Sequence, residues 1–311
     1  MTDGPKKIDG LVKISKAKER AIRTAIQIET EPVEQISYQH TVLCQTSLPY
    51  RNPGQDVLRW ERRQGDVHLL IEAGSAKNPE ADKYVQLGLP FGPKPRLILA
   101  HLNDQAIKTG KSTIEVEDSL TAFVKRIQGR RPTGPELGKF KDHLGRLSAA
   151  LIRMAVVRDG RAVQVDSKIV TAFDLWFPKD EHQRVLWPST IQLSADYFNS
   201  LQKHAVPLDE RAMAVLAHSS MALDLYAWLA QRLHRIPENH PQFITWKAIK
   251  DQFGQGYGRM NNFKSAFRTA LTQVLIQYQA ARVDEDERGL TLWNSLPPVP
   301  KKLFVVHKPV G

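Results

Sequence analysis

One order of elements occurs twice in this chain, and it narrows the possible folds more than any single motif does. The segment PRLILAHLNDQAIKTG carries Leu97, Ile98, Leu102 and Ile107 at helical spacing, with Pro95 in its first turn and Gly110 at its stop. A short strand, Ser112 to Val116, leads to SLTAFVKRIQ, a second helix capped by Asp118 or Ser119. Leu120, Phe123, Val124 and Ile127 share one face of it. After the turn GRRPTG, a third helix from about Pro135 to Met154 sets Leu137, Phe140, Leu144, Leu147 and Leu151 in one stripe. MAVVRD and AVQVDSKIV then read as strands that meet at Asp159-Gly160, a hairpin signal.

The order returns without obvious sequence identity. A strand and a helix over 191–204 lead to Pro207, and PLDERAMAVLAHSSMALDLYAWLAQRLHRI is helical in two pieces. The second piece aligns Ala222, Leu225, Leu229, Leu233 and Ile236. TWKAIKDQFG is a short helix opened by Thr245 and closed by Gly254. A long helix from Asn261 to about Gln277 buries Phe263, Phe267 (or Ala266), Leu271 and Leu275. A last hairpin pairs IQYQAARV with LTLWNSL around DEDERG. Helix, helix, helix, hairpin is the order of a winged helix. The reading is therefore an α+β chain, mainly α, with two tandem winged-helix domains and a basic N-terminal tail. The divisions are 1–40 for a partly disordered tail, 41–190 for the first domain and 191–311 for the second. Within the tail, Ile14, Ala17, Ala21, Ile22 and Ala25 form one amphipathic stretch. The first domain opens with a hairpin, DVLRWERRQGDVHLLIE, turning at Gln64-Gly65, and the turn-rich GSAKNPEADKY ends that unit.

Composition sets the function class. The 311 residues hold 44 Lys and Arg against 33 Asp and Glu, a formal net charge of +11 that favours a polyanionic partner such as nucleic acid. No apolar run reaches the roughly 18 residues that span a bilayer. The first residues lack a secretory apolar stretch, so a cytoplasmic protein without membrane contact is expected. A single cysteine, Cys44, excludes an intrachain disulfide framework and any multi-thiolate metal site.

The positive charge is local. Residues 125–161 hold ten Lys and Arg against Glu136, Asp142 and Asp159, and residues 245–282 hold six against Asp251 alone. Both clusters fall on a third helix and its flanks. A helix-turn-helix reads DNA by laying one helix in the major groove, where Arg bridges guanine and Asn or Gln bridges adenine. In the second unit that helix would expose Arg259, Asn261, Asn262, Lys264, Ser265, Arg268, Thr269 and Gln273, with no acid between Arg259 and Gln279. In the first unit Arg130, Arg131, Lys139, Lys141, His143 and Arg146 suit phosphate contacts better than base reading. The second hairpin's Asp284-Glu285-Asp286-Glu287 is repelled by a phosphate backbone. That hairpin is expected to point away from the duplex, or to contact protein.

Two longer blocks carry a family resemblance. LPFGPKPRLILAHLNDQAIKTGKSTIEVEDSLTAFVKRI resembles the first block of the plasmid-encoded RepA replication initiators: an apolar-Phe-Gly step, Pro-Arg-Leu, then a Ser-Leu-x-x-Phe helix. VPLDERAMAVLAHSSMALDLYAWLAQRLHRI resembles the second, with Ala222-Leu223-Asp224-Leu225-Tyr226 and Trp228-Leu229 fitting closely. Gly92-Pro93-Lys94-Pro95 replaces a more serine-like turn, and Pro-Thr-Gly-Pro stands for a longer Gly-rich segment before the third helix. The resemblance implies a protein that binds repeats of double-stranded DNA at a plasmid origin, opens adjacent AT-rich DNA and recruits host replication proteins such as a helicase. It also implies a homodimeric form that is inactive or autorepressing. A transcriptional repressor without a replication role is the alternative.

Enzyme chemistry is not indicated. Thr109-Gly110-Lys111-Ser112 ends like a P-loop, but Gln105 stands where the motif needs glycine, and the helix precedes the segment instead of following it. His143, His204, His218, His234 and His240 form no metal-binding pair of the rolling-circle nuclease type. Tyr226, Trp228 and Trp246 sit at core spacing. No catalytic residue, metal or cofactor is expected.

Overall fold

In a computed structural model of the chain, the described residues are 15–78, 83–117, 119–158, 161–167, 169–172 and 190–300. The elements open with α1 (Lys16–Thr30), β1 (Ile36–His40) and α2 (Thr41–Gln45). Two hairpins follow, β2 (Arg59–Gln64) with β3 (Val67–Glu72), and β4 (Ser75–Asn78) with β5 (Lys83–Gln86). Then come α3 (Pro93–Thr109), β6 (Thr113–Glu115), α4 (Leu120–Gln128), α5 (Gly134–Ala149), β7 (Leu151–Arg158), β8 (Arg161–Ser167) and β9 (Val170–Ala172). The later part holds β10 (Thr190–Leu193), α6 (Ala195–His204), β11 (Ala205–Asp209), α7 (Glu210–Leu216) and α8 (Ser220–Arg232). It ends with β12 (Gln242–Thr245), α9 (Trp246–Phe253), α10 (Met260–Gln277), β13 (Val283–Glu285) and β14 (Gly289–Leu292). This is an α+β fold in which the sheets are small and antiparallel.

Local chemistry sets most boundaries. Pro93 and Pro95 lie in the first turn of α3, and Gly110 closes it in the left-handed region at φ 67°. Ser119 caps α4 by accepting from the Ala122 N–H, and Gly129 ends it at φ 67°. Glu136 reaches back to the Thr133 N–H at 2.8 Å to open α5. Thr245 and Gly254 bound α9 as their residue types demand. The Asp118 cap and the Asp159-Gly160 turn lie outside the described residues.

Three boundaries differ from the pattern in the sequence. The third helix stops at Ala149 instead of Met154, because Leu151–Arg158 is the third strand of a four-stranded sheet, β2-β3-β7-β8. Its backbone pairs on both sides, Leu69 with Met154 and Met154 with Val165. Long-range pairing wins over the helical spacing of Leu151. Within GSAKNPEADKY, β4 pairs with β5 from Ser75↔Gln86 to Asn78↔Lys83. In the N-terminal stretch, α1 is a docked helix: the Gln277 and Gln279 amides donate to the carbonyls of Ala21 and Ala25 at 3.0 and 3.2 Å. The basic residues before Ile14, and Ile14 itself, lie outside the described residues.

Two hydrophobic cores result. The first gathers Leu69 and Ile71 from β3, Phe123 from α4, Phe140, Leu144 and Leu147 from α5, and Ile152 from β7. Tyr197 and Leu201 of α6 also enter it, although they stand beyond residue 190. The second is built from α8, α9 and α10, with Trp228, Phe253, Phe263, Phe267, Leu290 and Leu292. α3 serves both: Ile98, Leu99 and Leu102 enter the first core, Leu97 and Ala100 the second. β1 crosses to β11, with Ile36 opposite Asp209 and His40 opposite Ala205. The later core carries the sheet β12-β14-β13, packed against α9.

Candidate nucleic-acid interface

α10 is held by its inner face and offers the other. Phe263, Phe267, Ala270, Leu271 and Val274 are buried, while Asn261, Asn262, Ser265, Arg268, Thr269 and Thr272 are exposed. Arg259 stands exposed at the N-cap. The turn from α9 needs Gly256 at φ 89°, a conformation that L side chains rarely adopt. The short α9 and this turn lead into α10, whose first turns bury Phe263 and Phe267 and leave Asn261, Asn262 and Ser265 exposed.

Two of the expected cations do not extend freely from this face. Arg268, with its side chain 51% exposed, sets its Nε 2.6 Å from Oε1 of Glu285 in β13. Lys264 is half-buried, and its Nζ donates to the Glu287 carbonyl at 3.3 Å. Both lie over the buried Trp246 ring, Lys264 at 4.8 Å and Arg268 at 5.6 Å from its centroid. Trp246 in turn donates its indole N–H to the Asp286 carbonyl at 3.1 Å. The acidic turn is expected from the sequence to point away from a duplex, or to contact protein. Among the described residues it lies on α10, because Trp246 and the two cations give it a surface to fold onto.

The turn is tightly built. Asp286 accepts from the N–H groups of Arg288 and Gly289 at 2.8 and 2.9 Å, which holds its carboxyl below the usual range. A Cβ on Gly289 would lie 2.0 Å from the Ile244 carbonyl oxygen, so β14 approaches β12 where a side chain has no room.

In the earlier unit the predicted cations divide. Arg131 and Lys139 are exposed. Lys94, at the start of α3, lies near Lys139, and burial followed by that like charge lowers its pKa. Arg130 pairs with Glu136, whose carboxyl is drawn down to about 2, first by the Arg130 hydrogen bond. Lys141 is half-buried, and burial lowers its pKa. Arg146 is turned inward: its side chain is 16% exposed and it donates to Asp142 at 2.8 Å and the Leu89 carbonyl at 3.2 Å. It also lies over the Phe91 ring at 5.2 Å. His143 is buried, and burial holds its pKa down to about 4. The open part of this surface is therefore Arg131 and Lys139. Arg146 belongs to the packing, because α5 brings it over the Phe91 ring and within reach of the Leu89 carbonyl.

The residue pair that joins the two units was not read from the sequence. Arg96 Nε and Nη2 donate to the two carboxylate oxygens of Asp224 at 2.7 and 2.8 Å. Arg96 also donates to the carbonyls of Leu48 and Gly92, both at 2.7 Å, and lies 5.3 Å from the Tyr50 ring centroid. Burial raises the Asp224 pKa, opposed by the guanidinium. The signal was available: one Arg in PRLILA and one Asp in MALDLYAWLA are single opposite charges in otherwise apolar runs.

His40 forms a further polar cluster. His40 Nδ1 accepts from the Val42 N–H at 3.2 Å, so Nε2 carries the proton and faces Ser200 Oγ at 2.9 Å as a donor. That tautomer cannot take a proton from Ser200. Gly110, in the P-loop-like stretch, is a helix C-cap bonded to Ala106. Tyr226, Trp228 and Trp246 are core residues, as their spacing indicates. Among the described residues no group of three His, Cys, Asp or Glu side chains is placed to hold a metal ion. No helix among them is long and apolar enough to cross a membrane.

None of the curated proteins matches the sequence. Solved structures that resemble the chain include two of RctB domains. The RctB domains 2-3 (RctB-155-483) align at 10% identity over 86% of this chain and 94% of that one, with a TM-score of 0.46. The selenomethionine derivative of RctB domains 2 and 3 aligns at 9% identity over 88% and 98%, with the same TM-score of 0.46. The family described as plasmid encoded RepA protein matches residues 89–248, which contain both the Pro-Arg-Leu block of α3 and the Asp224 block of α8. With half of its length matched, including the two segments that Arg96 and Asp224 lock together, the chain belongs to the plasmid-encoded RepA family.

Proposed function

We propose that this protein is a plasmid replication initiator that binds double-stranded origin repeats, with α10 entering the major groove. In this reading both units are winged helices. The later one has the order α8, β12, α9, α10, β13, β14, and its first strand pairs with its last, Thr245 opposite Gly289. The observation that carries the proposal is the exposed, acid-free first half of α10. Arg259, Asn261, Asn262, Ser265 and Thr269 offer donors and acceptors of the kind that read base edges there. Arg131 and Lys139 would add phosphate contacts from the other unit. Family membership supports a role at a plasmid origin rather than at a chromosomal promoter.

The decisive test supplies the protein in trans to a plasmid carrying only the origin from its own replicon. Persistence of that plasmid is expected. Its loss, with the origin DNA still bound, would make the protein a repressor. At the residue level, Asn262→Ala should weaken binding to the origin repeat by about 1–3 kcal/mol, with much less effect on random duplex. Titrations of both duplexes measure the difference.

A further inference from the structure

We propose that Glu285 is the resident counter-ion of Arg268 and competes with DNA phosphate for it, setting a low affinity for duplex of any sequence. This rests on the DNA-binding reading above. The geometry is specific. Arg268 sits on the exposed face of α10 and places its Nε 2.6 Å from Glu285 of β13. The Glu285 side chain is 29% exposed, so water reaches the pair and an incoming phosphate can displace the carboxylate. The guanidinium is also held over Trp246, which Lys264 shares. The carboxylate is held in place from its own side. β13 pairs Glu285 with Leu290, the turn beyond it is tied by Asp286, and Asp284 accepts from the Trp293 indole at 2.6 Å.

The physical consequence follows from counterion release. Nonspecific affinity comes from cations that neutralise phosphates, and each adds about 0.9 to the slope of log K against log salt. An arginine already neutralised by a neighbouring carboxylate contributes little to that slope. An exposed ion pair is weak, about 0–1 kcal/mol, so it can yield when a groove fits around α10. The hairpin thus acts as a negatively charged stand-in for the backbone. It quiets the helix on random DNA without closing it.

The test uses the full chain and two duplexes: a random 30-base-pair sequence, and the sequence that the wild-type chain enriches from a random pool. Glu285→Gln keeps the shape and removes the charge. Its affinity for random duplex should rise roughly two- to fivefold near 0.1 M salt, with the salt slope steeper by about 0.9. Both gains should vanish when Glu285→Gln is placed on an Arg268→Gln background. Thermal melts of each variant report whether the fold is retained. An unchanged affinity and slope in Glu285→Gln would overturn the proposal. So would a gain that persists without Arg268, since that is a general charge effect. If the wild-type chain binds neither duplex, the DNA-binding reading itself fails, a result distinct from either of these.

Discussion

Arg96 and Asp224 are 128 residues apart in sequence, and nearly all of their charge is buried at one contact. Side-chain exposure is 3% for the guanidinium and 9% for the carboxylate, so each depends on the other for solvation, and the guanidinium depends on the Leu48 and Gly92 carbonyls as well. Removing one partner strands the other. Arg96→Leu should therefore lose about 3–5 kcal/mol of stability, read from urea midpoints. The Arg96→Leu, Asp224→Leu double variant should recover a large part of that loss. A single variant as stable as the wild type would show that this contact does not hold the units together. The sequence displayed both residues within family blocks, yet nothing local says that they meet. A charge in an apolar run demands a partner without identifying it.

At the scale of elements, capping residues and face patterns are where sequence and structure agree best. Ser119, Thr245 and Gly254 act at the helix ends where their residue types place them. Gly138 is a contrary case, an exposed glycine inside α5 around which a Cβ would meet nothing within 4 Å. Gly138→Ala should raise stability by about 0.5–1 kcal/mol, visible as a higher melting temperature. α2 gives a pH prediction. Its N-cap is the His40 ring, and burial, then His204, hold the His40 pKa down to about 3. An unfolded His40 takes a proton near pH 6.5, whereas the folded one stays neutral until about pH 3. The unfolded state binds more protons throughout that window, so stability falls as pH is lowered through it. His101 and His143, each held down to about 4 mainly by burial, act in the same direction. Urea midpoints at pH 7 and 4.5 should show the loss, and His40→Asn, whose side-chain oxygen can still cap α2, should reduce it.

For the molecule as a whole, the two cores share α3 and are tied again by β1 with β11, while α1 packs on α7 and α10 of the second. A load on one unit therefore meets the other through packed elements instead of a linker. The surplus of +11 is distributed unevenly once ion pairs are drawn. Arg130, Arg146 and Arg268 are matched by Glu136, Asp142 and Glu285, while Arg131 and Lys139 remain exposed. Lys139→Ala should weaken random and cognate duplex alike and reduce the salt slope by about 0.9. Titrations at several salt concentrations measure it, and a slope equal to wild type would remove Lys139 from the interface.

The capped helix ends, such as those at Gly110, Ser119, Thr245 and Gly254, and the acid-free stretch of α10 were determined by the sequence alone. Each depends on residues within a few positions of one another, through caps, turn conformations and the spacing of apolar side chains. Which cations stay available to a polyanion was decided by the tertiary structure. That question turns on contacts between residues such as Arg268 and Glu285, or Arg146 and the Leu89 carbonyl, brought together only when distant elements pack. A count of charges along the chain does not register such neutralisation. It takes the folded surface to place each one beside its partner.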